Sequence, residues 1–588
     1  MLKLSTALAA LSVGAMGAAA YADGAKLLEN YNPVTDERLA NPEPENWLNW
    51  RGNYEGWGHS PLKQINADNV ANLVPVWSFS TGVTEGHQAP PMVNDGVMYV
   101  TTPGNQLIAL EAATGNELWR YVRSLPADLF QLHPTNRGPA LYGDKIYMAT
   151  LDAGVVALDA KTGEVVWDVM IGDYTDGYYS TLSVLAADGK VVTGVSGGEF
   201  GIRGYAVALD AETGEEAWKT YTVPAPGEPG SETWKGESWK TGGGSVWMQP
   251  NYDVDTGLIY LGTGNGGPWM PDTRPGDNLY TTSVVAIDLG SGEIKGHHQY
   301  HWNDAWDWDE VSAPLLIDIE RDGKSVKGLV HAGRNGYIWS LERTPEGPIN
   351  FVAADRFVAQ DVFESIDPET GRPSYNEATT PGTDKTVTFC PSLWGGKDWP
   401  VEAYNPDTGL VYIPAHENLC SELGGVEMDD REPGELWIGV PIDVILASLK
   451  FADGIDTSKP VPIGKLQAWD MNTGEMKWEH SFNDTPYWGP ILSTGGDLVF
   501  SGGTNDRMFR AFNASTGDML WEYPTNSGVT AAPSSFEVDG RQYVAVQSGW
   551  GVDAERMQGG LKALLPEGRV PSVPQGGVIW VFALKGQG

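Results

Sequence analysis

Apolar and polar positions alternate in short runs along most of this chain, and the runs recur. IALEAATGNELW (108–119), VALDAKTGEVVW (156–167), VALDAETGEEAW (207–218), LQAWDMNTGEMKW (466–478) and FRAFNASTGDMLW (509–521) are copies of one pattern. Weaker copies lie at 284–295, 252–262 and 404–414. Alternation with a period of two predicts strands. The Thr-Gly step predicts a tight turn in which Gly takes a positive φ. The second strand of each unit ends on Trp, a large indole suited to packing between neighbouring sheets. Trp119, Trp167 and Trp218 lie 48 and 51 residues apart, which fits one four-stranded sheet per repeat.

Spread over the chain, that spacing predicts an all-β propeller of seven or eight blades. Long insertions fall at 222–244, 268–281, 360–390 and 421–465. VIWVFAL (578–584) is a C-terminal strand expected to close the ring beside LVPVWSFS (73–80). An open β-sandwich would leave the repeated Trp without a purpose.

Composition adds a compartment and a charge. Lys3, the small apolar run 4–20 and the Ala20-Tyr21-Ala22 step read as a cleaved signal peptide over 1–22, leaving 23–588 as a single domain outside the cytoplasm. No later segment is long and apolar enough to span a membrane. The formal charge of −39 excludes nucleic acid as a natural partner and suits a small basic protein. Cys390 and Cys420, the two cysteines, predict one disulfide in an exported chain. No Cys-x-x-Cys-His occurs, so any electrons produced must leave through another protein. A monomer and a homodimer both stay open.

The candidate chemistry lies in several short segments. VSGGEFGIRG (195–204) places small residues beside a carboxylate, a turn whose N–H groups can meet an anion while Glu199 meets a hard cation. HWNDAWDWDEVSAP (301–314) places Asp307 and Asp309 two residues apart, so that on an extended segment both face one side. Two such carboxylates repel unless a cation sits between them. GGGSVW (242–247), GTGNGGPW (262–269) and LVHAGRNGYIW (329–339) add an indole, an amide and an arginine.

Together with the Trp-ended repeats, these segments resemble the PQQ-dependent (pyrroloquinoline quinone) methanol and alcohol dehydrogenases over nearly the whole chain. The resemblance implies an eight-bladed propeller with cofactor and metal on its axis. It implies Glu199, Asn265, Asp307 and Asp309 as metal ligands, Asp307 as the base that takes the alcohol proton, and Arg334 at the reactive quinone carbonyl. Asp309 matches an extra carboxylate of the lanthanide-dependent branch, so a lanthanide(III) is favoured over Ca²⁺. Further cofactor contacts implied are Gln88, Arg137, Thr181, Ser196, Gly197, Gly198, Ser245, Trp247, Asp398, Trp488, Gly489 and Trp550. Cys390 and Cys420 match a structural disulfide of the family. The implied activity is periplasmic oxidation of an alcohol, with electrons passing to a soluble cytochrome c. Sugars, polyols and polymeric alcohols remain alternative substrates. A scaffold propeller without chemistry would not need these residues together. One departure stands out: the family's adjacent cysteines, which cover one face of PQQ, are absent from Phe130-Gln131-Leu132-His133.

Overall fold

The computed structural model describes residues 26–321 and 323–586, so the signal-peptide segment lies outside the described residues. The first repeat folds as its pattern predicts. Met92–Asn94, Val97–Thr102, Gln106–Glu111 and Glu117–Val122 form one antiparallel sheet in chain order. The two middle strands are buried almost throughout, while the outermost is half exposed. Further four-stranded sheets follow over 140–170, 185–221, 251–299, 315–356 and 403–483. The sheet over 492–524 gains a short fifth strand, His59–Ser60, parallel to Leu492–Thr494. In the last sheet Val578–Leu584 pairs with Leu73–Ser80 from the other end of the chain, Leu73 facing Leu584 and Ser80 facing Val578. The expected pairing of the two ends is therefore present.

The repeated residues explain how one sheet holds the next. Each Trp sits opposite a small Ala on the neighbouring strand, as in Trp119 with Ala109, Trp218 with Ala208 and Trp521 with Ala511. A bulge adjoins each of these pairs and re-aims the indole. The Trp119 Nε1 then donates across to Ala160 O at 3.1 Å, Trp167 to Ala211 O at 3.0 Å and Trp218 to Leu289 O at 2.9 Å. Trp478 does the same to Ala514 O, Trp521 to Leu73 O, and Trp77 to Ala112 O. The last of these ties the sheet made by the two chain ends to the first sheet. Gly163 shows why the turn needs glycine: its φ is +71°, and a Cβ there would stand 2.5 Å from Trp119 Cε3.

Helices are few. α1 (Asp36–Ala40), α2 (Ile442–Ala447) and α3 (Val552–Leu564) lie in segments that join or flank the sheets. The 421–465 insertion carries α2 and also supplies Leu449–Phe451, which joins Leu419–Leu423 and Val387–Phe389 in a small separate sheet. Cys390 and Cys420 are disulfide-bonded beside it, with Cα atoms 4.3 Å apart. No helix among the described residues is long and apolar enough to cross a membrane.

Candidate functional site

Loops between the sheets converge on one cavity of about 180 Å³. Its walls carry Arg137, Thr181, Ser196, Gly197, Glu199, Ser245, Trp247, Asp307, Asp309, Arg334 and Asp398, drawn from segments more than 400 residues apart when Asp553 and Arg556 are included.

One side is built for an anion. Arg137 is buried between two indoles, its guanidinium 4.7 Å from the Trp247 ring and 5.1 Å from the Trp399 ring. Its Nη1 donates to Thr181 Oγ1 at 2.6 Å, and the Thr181 and Ser196 hydroxyls are 3.1 Å apart. Its Nε finds no partner among the described residues. Burial pulls Arg137 down to about 10, against the attraction of Asp553 and Asp398. Ser196 leads into a tight turn with φ +111° at Gly197, and the short 3₁₀ stretch Gly198–Phe200 presents Glu199 to the cavity. Trp437 N donates to Glu199 O at 2.7 Å, so the long insertion straps this turn down.

The other side is acidic. Asp307 adopts φ +63°, and its N–H donates to Asp304 Oδ2 at 3.1 Å. Asp304 is fully buried and lies 3.0 Å from His301 Nε2. Asn265 serves both acids: its Nδ2 donates to Asp307 Oδ1 at 2.8 Å and its backbone N–H to Asp309 Oδ1 at 2.6 Å. Arg334 donates to Asp307 O at 2.9 Å and to Asp398 Oδ1 at 2.9 Å, and its Nη2 is 3.4 Å from Asp309 Oδ2. Burial and the neighbouring Asp309 carboxylate push Asp307 well above the usual carboxylate range. Burial, opposed by Arg334 and helped by Glu199, brings Asp309 to about 7. Burial works against the Arg334 charge, but Asp398, Asp309 and Asp307 outweigh it and hold its proton more tightly than usual. Five carboxylates line the cavity against three guanidinium groups. Such a wall attracts cations.

Against this geometry, the family model for the glucose/ethanol/alcohol dehydrogenase β-propeller domain, the PQQ family, matches residues 47–365 and 349–544. The chain belongs to the PQQ-dependent alcohol dehydrogenases. Among the relatives of this quinoprotein, the alcohol dehydrogenase PedH of Pseudomonas putida is 38% identical over 91% of this chain and 90% of its own. The 1-butanol dehydrogenase (quinone) of Thauera butanivorans is 36% identical, with 90% of each chain covered. Among solved structures, a europium-containing methanol dehydrogenase superposes with a TM-score of 0.85 at 32% identity, covering 93% of this chain and all of its own.

Not every residue expected at the quinoprotein site reaches the cavity wall. Asn265 stands behind it, joined to Asp307 and Asp309, and Gly198 backs the turn. Gln88, Trp488, Gly489 and Trp550 do not line the cavity. Gln88 Oε1 and Trp488 Nε1 are buried without partners among the described residues. Trp550 is buried, its Nε1 bonded to Gln558. Of the expected metal ligands, Glu199, Asp307 and Asp309 share the cavity wall, but among the described residues no three acidic, His or Cys side chains close into a coordination shell. The like-charged Asp307 and Asp309 take the N–H groups of Asn265 instead.

Other lining residues escaped the sequence reading. Ile438, Ile442, Ile445 and Leu446 come from the long insertion, and Leu393 and Trp394 precede Asp398. Leu132 and His133 come from the segment that lacks the cysteines, and Asp553 and Arg556 from α3. The apolar cluster IDVIL (442–446) was the one readable signal, since it exposes apolar side chains on a short helix.

Proposed function

We propose that this quinoprotein oxidises alcohols with an apolar tail in the periplasm, using PQQ and one hard cation, and passes the electrons to a soluble, basic cytochrome c. The eight sheets, six of whose junctions are tied by an indole, are read as the blades of one eight-bladed ring. The observation that carries the proposal is the single cavity in which a buried, incompletely partnered Arg137 and the Trp247 face meet an excess of carboxylates. The residues fit the groups: a flat, multiply anionic quinone suits Arg137, Thr181, Ser196, the Gly197–Gly198 turn, Ser245 and Trp247. Glu199, Asn265, Asp307 and Asp309 offer only oxygen donors, as a hard cation requires. When bound, PQQ supplies the electron sink and the cation the Lewis acidity, chemistry no side chain here possesses.

The chain's own groups do the rest. Asp307 takes the hydroxyl proton on its carboxylate, and its place is set by Asp304 beneath and Asn265 beside it. Arg334, locked by Asp398, holds a fixed positive charge over the acidic side and stabilises negative charge forming there. The apolar mouth of Leu132, Trp269, Ile438, Ile442, Ile445 and Leu446 excludes water and receives the tail. A sugar would leave its hydroxyls unpaired against these side chains, which disfavours the polyol reading. The relative named for 1-butanol agrees with an apolar substrate.

Three carboxylates around one ion favour a trivalent cation, and Asp309 supplies the third. Reconstitution with PQQ plus La³⁺ is expected to give faster turnover than PQQ plus Ca²⁺. Equal or faster rates with Ca²⁺ remove the lanthanide claim. Asp309→Ala is expected to lose activity with La³⁺, and Asp307→Ala with either ion. A purified holoprotein with no quinone absorption would point to a scaffold. A mature N-terminus at Asp23 would support export.

A further inference from the structure

The loop from the first sheet to the second passes over the cavity at Leu132 and His133, and no covalent bond pins it there. Three side chains do so instead. His133 Nε2 lies 3.2 Å from Asp553 Oδ1, and Arg556 Nη1 lies 3.1 Å from both of those atoms. Arg556 Nη2 also donates to Leu132 O at 2.8 Å. The clasp joins positions 420 residues apart in the chain.

Its far side is a firm platform. Asp553 and Arg556 stand on the N-terminal part of α3, whose Met557 and Leu561 are buried. Gln558 ties the same helix to Trp550 Nε1 at 3.1 Å and to Pro571 O at 2.6 Å. Asp553 is held ionised: burial works against its charge, but His133, Arg556 and Arg334 outweigh it and keep the carboxyl well below the usual range. An ionised acceptor strengthens the two contacts that end on Asp553, those from His133 and Arg556.

A flat conjugated cofactor presents two faces, and a slot that holds it needs a wall for each. Trp247, backed by Arg137, provides one. Leu132 and the His133 imidazole line the same cavity from another sheet connection. We propose that the His133–Asp553–Arg556 clasp holds this loop as the second wall of the PQQ slot, and that its members are positioning residues that set how long the cofactor stays. The inference rests on the cofactor reading above and deepens it.

The test follows PQQ release from reconstituted full-length holoprotein by the optical signal of the free quinone. Asp553→Asn and His133→Ala are expected to release it about tenfold faster than wild type, the loss of one charge-assisted bond. The thermal midpoints of the apo forms should stay close to wild type. His133→Gln, which keeps a polar group able to reach Asp553, should recover most of the retention. Release at the wild-type rate in both loss variants overturns the clasp, whether or not their apo midpoints fall. Wild-type protein that takes up no PQQ overturns the cofactor reading itself and this inference with it.

Discussion

At the scale of single residues, the site depends on groups that touch no substrate. Asp304 is the clearest case. Its buried carboxylate accepts the N–H of Asp307 and lies beside His301, which in turn stands 3.6 Å from the buried Glu310. Glu310 accepts from His331 at 2.7 Å, Asn335 at 2.9 Å and Arg334 N at 3.2 Å. The same buried network therefore orients both Asp307 and Arg334. Removing one member leaves donors unpaired in a dry interior. Asp304→Ala is expected to cost about 3 kcal/mol of stability, read as a lower urea midpoint, and to release Asp307 from its left-handed conformation. Asp307→Asn keeps the shape and removes the proposed base. Turnover should fall by ~10²–10⁴ while PQQ uptake, followed optically, persists.

The element scale is set by the indole–glycine contact between sheets and by the helix at the mouth. Trp119 donates to Ala160 O and lies over Gly163. Gly163→Ala meets both a φ of +71° and a Cβ contact of 2.5 Å, whereas Gly104→Ala meets a φ of +70° with open space around it. The second substitution is expected to cost about 1–2 kcal/mol, the strain of the backbone alone. Gly163→Ala should cost clearly more, since the sheets must also part. Equal denaturation midpoints for the two would refute the wedge. On α2, Leu446 and Ile442 line the cavity yet stay 58% and 44% exposed, which marks them as the entrance. Leu446→Asp is expected to raise KM for a medium-chain alcohol about tenfold and leave ethanol much less affected. The same shift for both alcohols would remove α2 from the substrate path.

On the scale of the whole molecule, two ends and two cysteines lock the fold. Leu73–Ser80 pairs with Val578–Leu584, and Trp77 carries the contact on to the first sheet. Cys390 and Cys420 bridge 30 residues beside the small sheet that supports the insertion. Reducing this bond should lower stability by about 3 kcal/mol, measured as the change in chemical denaturation with and without reductant. The −39 charge bears on the proposed acceptor. Electron transfer to a basic cytochrome c should slow steeply as salt rises, because steering between opposite charges is screened. A rate independent of ionic strength would argue for a different acceptor.

The resemblance to the family implied most of the cavity's polar groups and the cysteine count the disulfide, while local patterns predicted the sheets, the Trp wedge and the pairing of the two ends. Each of those has a short signature: a period of two, a Thr-Gly turn, or a motif of a few adjacent residues. The mouth and the clasp have none. Trp437 on Glu199, Asn265 between Asp307 and Asp309, and Arg556 on Leu132 join segments that are tens or hundreds of residues apart. Their meeting is a property of how loops cross between the sheets, where no repeat constrains the sequence. Gln88, Trp488 and Trp550, contacts implied by the family resemblance, are buried and do not line the cavity wall. Residue type and spacing thus prescribed the elements and the kind of chemistry, whereas long-range packing decided which side chains share the cavity.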